Sequence, residues 1–152
     1  MAKVLMIHAD KCTGCRNCEL SCSAFHEGRF RPRLSRVHAY VWDREGLSVP
    51  MMCQHCEDAP CVSVCPTGAM RRNKAASTVD WNKDTCIRCR MCTIACPFGN
   101  AVYDSDGNAI LKCDLCSGDP ECVKFCPSEA GAPLAVPLRP ADMMTSTRMV
   151  IR

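Results

Sequence analysis

Residues 37–42, VHAYVW, alternate small apolar residues with larger residues that carry a ring. A period of two is typical of a β-strand that packs one face against the protein. The turn sequence DREG follows at 43–46, and LSVPMM at 47–52 can return beside the first strand. The pattern therefore predicts a β-hairpin over residues 37–52.

Two further segments have the same strand–turn–strand pattern. Residues 69–81 and 101–112 each place a polar turn between apolar ends, and DGN at 106–108 is a strong turn signal. The short apolar run VLMI at 4–7 predicts one more strand. Helix is expected mainly as single turns near the cysteines, so the predicted fold class is α+β.

The end of the chain differs from these hairpins because it is rich in proline. Prolines stand at 127, 133, 137 and 140. Proline restricts its own backbone and that of the residue before it, which opposes helix formation. We expect residues 131–152 to form an extended tail that wraps over a surface of this protein or of a partner.

Cysteine changes this picture, because 16 of the 152 residues are cysteine. Only four Phe, two Tyr and two Trp are present, so hydrophobic burial contributes less than the length suggests. A cysteine content this high marks a chain held together by cross-links or metal. We expect an inorganic group to supply part of the core.

All sixteen cysteines fall into four groups that open C-x-x-C and close C-x-x-x-C. In chain order these motifs one to four are Cys12, Cys15, Cys18, Cys22; Cys53, Cys56, Cys61, Cys65; Cys86, Cys89, Cys92, Cys96; and Cys113, Cys116, Cys122, Cys126. Motifs one and three have the C-x-x-C-x-x-C-x-x-x-C spacing of a bacterial [4Fe–4S] ferredoxin, in which the fourth cysteine ligates the other cluster of a pair. Proline follows the fourth cysteine in motifs two, three and four. The spacing predicts iron–sulfur clusters built from motifs in pairs.

Zinc and disulfides are the alternatives. Structural zinc sites usually join two C-x-x-C knuckles across a longer loop, which this spacing does not resemble. Disulfide scaffolds belong to oxidising compartments. No export leader and no apolar run of about 18 residues is visible, so we expect a cytoplasmic protein with no membrane span.

The four motifs in this order resemble those of the four-cluster ferredoxin-like electron-transfer subunits of molybdenum and tungsten oxidoreductases. The resemblance covers residues 1–130 and implies two intertwined ferredoxin-like halves in one domain over 1–152. The outer half would take residues 1–35 plus 101–130, and the inner half residues 48–100. In that family motif one pairs with motif four, and motif two with motif three.

The resemblance also implies the cluster ligands, here called sites 1 to 4. Site 1 would take Cys12, Cys15, Cys18 and Cys126; site 2 Cys22, Cys113, Cys116 and Cys122; site 3 Cys53, Cys56, Cys61 and Cys96; and site 4 Cys65, Cys86, Cys89 and Cys92. Ser23 follows Cys22 where the family pattern has proline. All sixteen ligand positions are cysteine, which implies four [4Fe–4S] clusters.

Charge adds information about partners. The formal net charge is +3, and four clusters at about −2 each would bring it to roughly −5. This argues against nucleic acid as a partner, despite the arginines of residues 29–36. Those arginines are interpreted as a solvated face, with a docking patch for an acidic partner as the alternative. His55, between two cysteines, is interpreted as solvated or bonded to the backbone, with a position at a cluster edge as the alternative.

No catalytic constellation is visible in the sequence, so we expect a non-catalytic electron-transfer subunit in a hetero-oligomer. The resemblance favours a tungsten- or molybdenum-pterin partner of the aldehyde oxidoreductase type. A flavin subunit or ferredoxin would be the acceptor. The alternatives are a subunit serving a hydrogenase, formate dehydrogenase or carbon monoxide dehydrogenase, a free diffusible polyferredoxin, and a structural zinc module.

Overall fold

The fold is built from four two-stranded antiparallel sheets joined by short helices, as seen in a computed structural model that describes residues 4–128 and 131–134. None of the helices in these ranges is long and apolar enough to span a membrane. In chain order the strands and α-helices are β1 Val4–Ile7, α1 Asn17–Glu27, β2 Val37–Trp42, β3 Leu47–Met52, α2 Pro60–Ser63, β4 Met70–Asn73, β5 Thr78–Trp81, α3 Met91–Ala95, β6 Ala101–Asp104, β7 Ala109–Lys112, α4 Glu121–Lys124 and β8 Gly131–Leu134. The α+β prediction is confirmed.

All three predicted hairpins are present. In the first, β2 pairs with β3 so that Val37 faces Met52, and both side chains are buried. The second pairs β4 with β5, and the third pairs β6 with β7. In the third hairpin the buried Asp104 carboxylate accepts hydrogen bonds from the backbone N–H groups of Asp106 and Gly107, which stabilises the predicted turn.

The fourth sheet joins distant parts of the chain. Strand β1 pairs antiparallel with β8, and Ile7 lies opposite Gly131. The predicted strand at 4–7 is confirmed, and the first four residues of the predicted tail form its partner strand. The rest of the tail, from residue 135, lies outside the described residues.

Helix α1 is longer than the single helical turns that the sequence predicts. Helices α2, α3 and α4 have four or five residues, whereas α1 has eleven and ends at Gly28, whose φ is +66°. Because Ser23 stands where proline would break the helix, α1 continues past motif one. The buried Ser23 hydroxyl donates to the Leu20 carbonyl at 3.0 Å and accepts from the Arg31 N–H at 3.1 Å, which anchors the following loop.

The buried core is divided between two clusters of side chains. The larger cluster joins α2, α3 and the hairpins β4–β5 and β6–β7, and it includes Met70, Val79 and Ile110. The smaller cluster contains Cys22, Val37 and Met52. Cysteines belong to both clusters, as expected of a chain poor in aromatic residues.

The position of hairpin β6–β7 differs from the boundaries drawn from the sequence. Residues 101–112 were assigned to the outer half, but Ala101 and Ile110 are buried in the cluster formed by the inner motifs. The physical reason is the short connection, because only four residues separate Cys96 from β6. The hairpin therefore stays beside motif three.

Candidate iron–sulfur centres

Two cavities in the inner half are each lined by four cysteines. One is lined by Cys53, Cys56, Cys61 and Cys96, together with Lys112. The other is lined by Cys65, Cys86, Cys89 and Cys92. These are the cysteines of the predicted sites 3 and 4, and each cavity combines cysteines of motif two with cysteines of motif three.

The cysteines of the outer half also gather across the chain. Helix α1, which carries Cys18 and Cys22, packs against α4, which carries Cys122. Cys18 and Cys122 both contact the core cluster around Cys22, and the charges of Cys113 and Cys116 act on the Cys122 thiol. The structure thus brings together the four cysteines of site 2, and it places Cys12 and Cys15 near enough to Cys18 to raise the pKa of its thiol. The Cys126 sulfur lies 3.6 Å from the Ser128 hydroxyl oxygen.

A left-handed backbone conformation recurs before the second cysteine of every motif. The residues at that position have positive φ, namely Gly14 (68°), His55 (46°), Arg88 (60°) and Leu115 (56°). Four different residue types therefore share one turn geometry. Successive N–H groups around such a turn form a concave nest that binds anions, including iron–sulfur clusters. The repeated turn fits a negatively charged cluster at each motif.

Several backbone N–H groups donate to cysteine sulfurs. The Arg36 N–H donates to Cys22 at 3.3 Å, the His55 N–H to Cys53 at 3.3 Å, the Met70 N–H to Cys65 at 3.4 Å and the Asn100 N–H to Cys96 at 3.4 Å. Three of the four acceptors are the last cysteine of a motif. Such bonds favour the thiolate and help to set cluster potentials.

Burial raises the pKa of seven of the sixteen cysteine thiols and so makes them hard to ionise without a metal. Burial raises the pKa of Cys113 and of Cys18 to about 12, and that of Cys92 to about 11. A cluster ligand must be a thiolate, so a cation has to replace each proton. Iron supplies that charge, and the nests and the sulfur-lined cavities fit a [4Fe–4S] cluster.

The cysteine groups follow one another in a row. Cys122 of site 2 interacts electrostatically with Cys18 of site 1, and Cys113 of site 2 interacts with Cys53 of site 3. Cys92 of site 4 interacts in the same way with Cys61 of site 3. These interactions favour the order site 1, site 2, site 3, site 4 for the predicted sites. Of the sixteen cysteines, all described, only Cys15 and Cys89 are exposed, and they belong to the two end sites.

Lys112 lines the site 3 cavity and was missed in the sequence analysis. Its side chain is only 8% exposed, and its ammonium donates a hydrogen bond to the Cys53 sulfur. The sequence contained a signal for this burial. Side chains alternate between the two faces of a strand, so Lys112 lies on the same face of β7 as the buried Ile110. A lysine in phase with a core position is unusual and suggests a buried partner of negative charge.

His55 is bonded to the backbone, as interpreted from the sequence. Its Nδ1 accepts the Val79 N–H at 3.0 Å. Burial, together with the nearby Lys112 and Arg72, lowers the pKa of His55 to about 4. A neutral imidazole therefore connects motif two to strand β5.

Two of the four arginines in residues 29–36 form ion pairs within the protein. Arg33 pairs with Asp106 at 2.5 Å and with the buried Asp104 at 3.5 Å, which joins this segment to hairpin β6–β7. Arg36 pairs with Glu27 at 3.4 Å. Arg29 and Arg31 are exposed, in keeping with the solvated face.

Comparison with known families decides the nature of these centres. Residues 45–133 match the family described as 4Fe-4S dicluster domain, and residues 9–24 match a 4Fe-4S binding domain. The chain belongs to the 4Fe-4S dicluster domain family. It is an iron–sulfur protein that binds several [4Fe–4S] clusters and is related to electron-transfer subunits of oxidoreductases. The predictions of family, cofactor and electron transfer are confirmed.

Similar proteins include subunits of several enzymes. The polyferredoxin-like subunit of aliphatic sulfonate oxidoreductase from Pyrococcus furiosus is 40% identical over 84% of this chain and 72% of its own length. Formate hydrogenlyase subunit 2 from Escherichia coli is 32% identical over 86% of this chain and 80% of its own. A solved structure of the active site complex BamBC of benzoyl coenzyme A reductase with benzoyl-CoA matches with 29% identity and a TM-score of 0.52, over 88% of this chain and 79% of that one.

The turn in motif one gives a testable requirement for glycine. A Cβ at Gly14 would lie 2.8 Å from the Ser48 hydroxyl oxygen and 3.1 Å from a Val41 methyl group. We expect Gly14→Ala to lower the anaerobic thermal unfolding midpoint and the iron content of the chain, because backbone strain of about 1–2 kcal/mol and a steric clash of about 1–3 kcal/mol act together.

Gly28→Ala is the matched control. Gly28 has nearly the same φ, +66°, but no atom lies within 4 Å of the added Cβ. This variant therefore reports the backbone strain alone and should keep its iron. Equal losses of midpoint and iron in the two variants would show that the close approach to Ser48 is unimportant.

Proposed function

We propose that the chain carries four [4Fe–4S] clusters, held by the sixteen cysteines grouped as sites 1 to 4, and relays single electrons along them. In this proposal site 1 includes Cys126 from motif four. The two four-cysteine cavities support sites 3 and 4, and the packing of α1 against α4 supports the pairing of motif one with motif four. When bound, the clusters supply one-electron redox chemistry.

The exposure of one cysteine at each end carries the proposal of a relay. Cys15 and Cys89 are exposed, whereas the cysteines of the two middle sites are covered to a greater extent. An electron carrier needs an entry and an exit near the surface and insulated sites between them. The protein part of the chain then positions and insulates the clusters and does not itself bind substrate.

For the partner we propose a tungsten- or molybdenum-pterin oxidoreductase of the aldehyde oxidoreductase type, with a flavin subunit or ferredoxin as acceptor. The similarity to the aliphatic sulfonate oxidoreductase subunit and to the benzoyl coenzyme A reductase complex supports a large catalytic partner. Clustered cysteines that bind metal are typical of a reducing compartment, so we propose a cytoplasmic complex.

Similarity to formate hydrogenlyase subunit 2 favours a second candidate, a subunit that serves a hydrogenase or formate dehydrogenase. Anaerobic affinity purification of the tagged chain from its native host, followed by elemental analysis of the complex, separates the two. We expect tungsten or molybdenum together with a pterin. Nickel without a pterin would favour the hydrogenase, and a chain that elutes alone would favour a free polyferredoxin.

We propose that the partner docks at the surface beside site 4. This docking face can be tested on the same preparation. Ile94 in α3 is 81% exposed and lies in motif three, beside the site 4 cysteines. We expect Ile94→Asp to reduce the amount of co-purified partner at least tenfold while leaving the iron content unchanged, because a charge would be buried in the interface. Phe30→Asp is the control, since Phe30 is 73% exposed but lies outside the cysteine motifs. Equal recovery of partner with both variants would contradict docking at site 4.

A further inference from the structure

Two buried charges of opposite sign lie at different sites along the row of cysteines. Lys112 contacts Cys53 of site 3, and Glu19 directly follows Cys18 of site 1 in helix α1. Glu19 is only 7% exposed. A charge buried in a medium of low dielectric acts more strongly on its neighbours than one at the surface. These two residues therefore distinguish sites that otherwise have the same four thiol ligands.

The Lys112 ammonium is directed at site 3. It lines the cavity formed by the four site 3 cysteines and donates to the Cys53 sulfur. Among the described residues, no carboxylate forms an ion pair with Lys112. A buried ammonium without a negative partner is costly. The negative charge that compensates Lys112 is therefore that of the thiolates and the cluster they hold.

Glu19 gives site 1 the opposite surroundings. Its Oε1 accepts a hydrogen bond of 2.7 Å from the Ala39 N–H. This bond also fixes the carboxylate between α1 and β2. Glu19 directly follows Cys18 in α1 and is buried, so its side chain lies near the thiols of site 1. Site 1 therefore lies beside a buried anion and site 3 beside a buried cation.

We propose that Lys112 and Glu19 give the clusters unequal reduction potentials, so that site 3 is higher, and site 1 lower, than its ligands alone would make it. The inference rests on the proposed function, because it assumes the ligands of sites 1 and 3. Uptake of one electron makes a cluster more negative by one charge. Lys112 stabilises that added charge at site 3, and Glu19 opposes it at site 1.

The consequence for the relay is a resting place for the electron inside the chain. With clusters bound, an electron shared between sites 1 and 3 would favour site 3, an inner site whose cysteines are covered. Lys112 and Glu19 are positioning residues in this scheme, since they adjust potentials and neither ligate iron nor take up the electron.

The test is a potentiometric titration of the anaerobic full-length chain, followed by electron paramagnetic resonance. We expect Lys112→Met to reduce the equilibrium constant for reduction of the site 3 cluster at least tenfold, a fall of about 59 mV for a one-electron couple. Cys56→Ser identifies that cluster, because a changed ligand alters its spectrum. Glu19→Gln should shift the site 1 cluster in the opposite direction.

Two controls isolate the effect of the buried charge. Lys112→Arg keeps a cation at the position. It should therefore change the reduction potential of the site 3 cluster much less than Lys112→Met does. Lys74→Met removes one positive charge from an exposed position in the β4–β5 turn and should leave the site 3 potential unchanged. If Lys112 had only a structural role, its substitution would change the amount of bound cluster. It would not shift the reduction potential according to the charge at position 112.

The outcomes separate this inference from the proposed function. Iron analysis of the unmodified chain tests the four clusters first, before any variant is made. If Lys112→Met holds all its iron and titrates like the unmodified chain, the role of Lys112 is overturned. If Lys112→Met and Lys112→Gln both lose the site 3 cluster while Lys112→Arg keeps it, Lys112 holds the cluster and does not tune it, which also overturns the proposal. An unchanged potential in Glu19→Gln overturns the role of Glu19.

Discussion

Removal of iron is expected to unfold this protein. The anaerobic chain should contain about sixteen irons and sixteen sulfides, and a chelator should abolish its cooperative thermal transition. The reason lies in the core, where Cys61 and Cys92 are buried beside Val79 and aromatic residues are few. Without iron these buried thiols lose the bonds to a cluster that would join the motifs of each pair. Iron and sulfide analysis, together with circular dichroism before and after chelation, measures the effect.

Ile110→Ala provides the matched comparison for iron removal. Ile110 is almost fully buried in the same core cluster, so the variant should lose about 2–5 kcal/mol of stability. It should nevertheless keep its iron, because Ile110 supplies no ligand. A chain that keeps its transition after chelation, or that regains it with zinc alone, would contradict the iron-dependent core. Zinc with no iron in the native protein would support the structural zinc module.

Substitution of single cysteines is expected to damage clusters that lie far away in sequence. We expect Cys126→Ser to alter the cluster of site 1, whose other ligands are in motif one, and to spare site 2. Cys113→Ser should alter site 2 instead. Each cluster contributes its own signal when reduced, so electron paramagnetic resonance of the two variants distinguishes the affected sites. Loss of a thiolate should remove one iron or the whole cluster from the affected site.

The inner half supplies a matched pair of variants with more structural support. Cys96 lies in the cavity with Cys53, whereas Cys86, from the same motif, lies in the cavity with Cys65. We therefore expect Cys96→Ser and Cys86→Ser to alter different signals. The pairing of the outer motifs would be wrong if Cys126→Ser and Cys113→Ser altered the same single signal. The inner pairing would fail in the same way with Cys96→Ser and Cys86→Ser.

Local sequence patterns were sufficient to predict the hairpins and the type of centre. Alternation in 37–42 and the DGN turn at 106–108 depend on neighbours within a few residues, and both features are present. The spacing within each motif is also local, and it decided between iron–sulfur clusters and zinc. The length of α1 was underestimated from the sequence, although Ser23 in place of proline and Gly28 at the helix end are both local signals.

By itself the sequence determined the four cysteine motifs, the three hairpins and the [4Fe–4S] chemistry, because each depends on the order of residues close together in the chain. Only the tertiary structure decided which buried charges lie beside which thiols, since Lys112 reaches Cys53 across 59 positions and Glu19 reaches the Ala39 N–H across 20. The same holds for hairpin β6–β7, which packs with the inner motifs through Ile110. Contacts of this kind arise from the packing of whole elements, and no spacing along the chain encodes them.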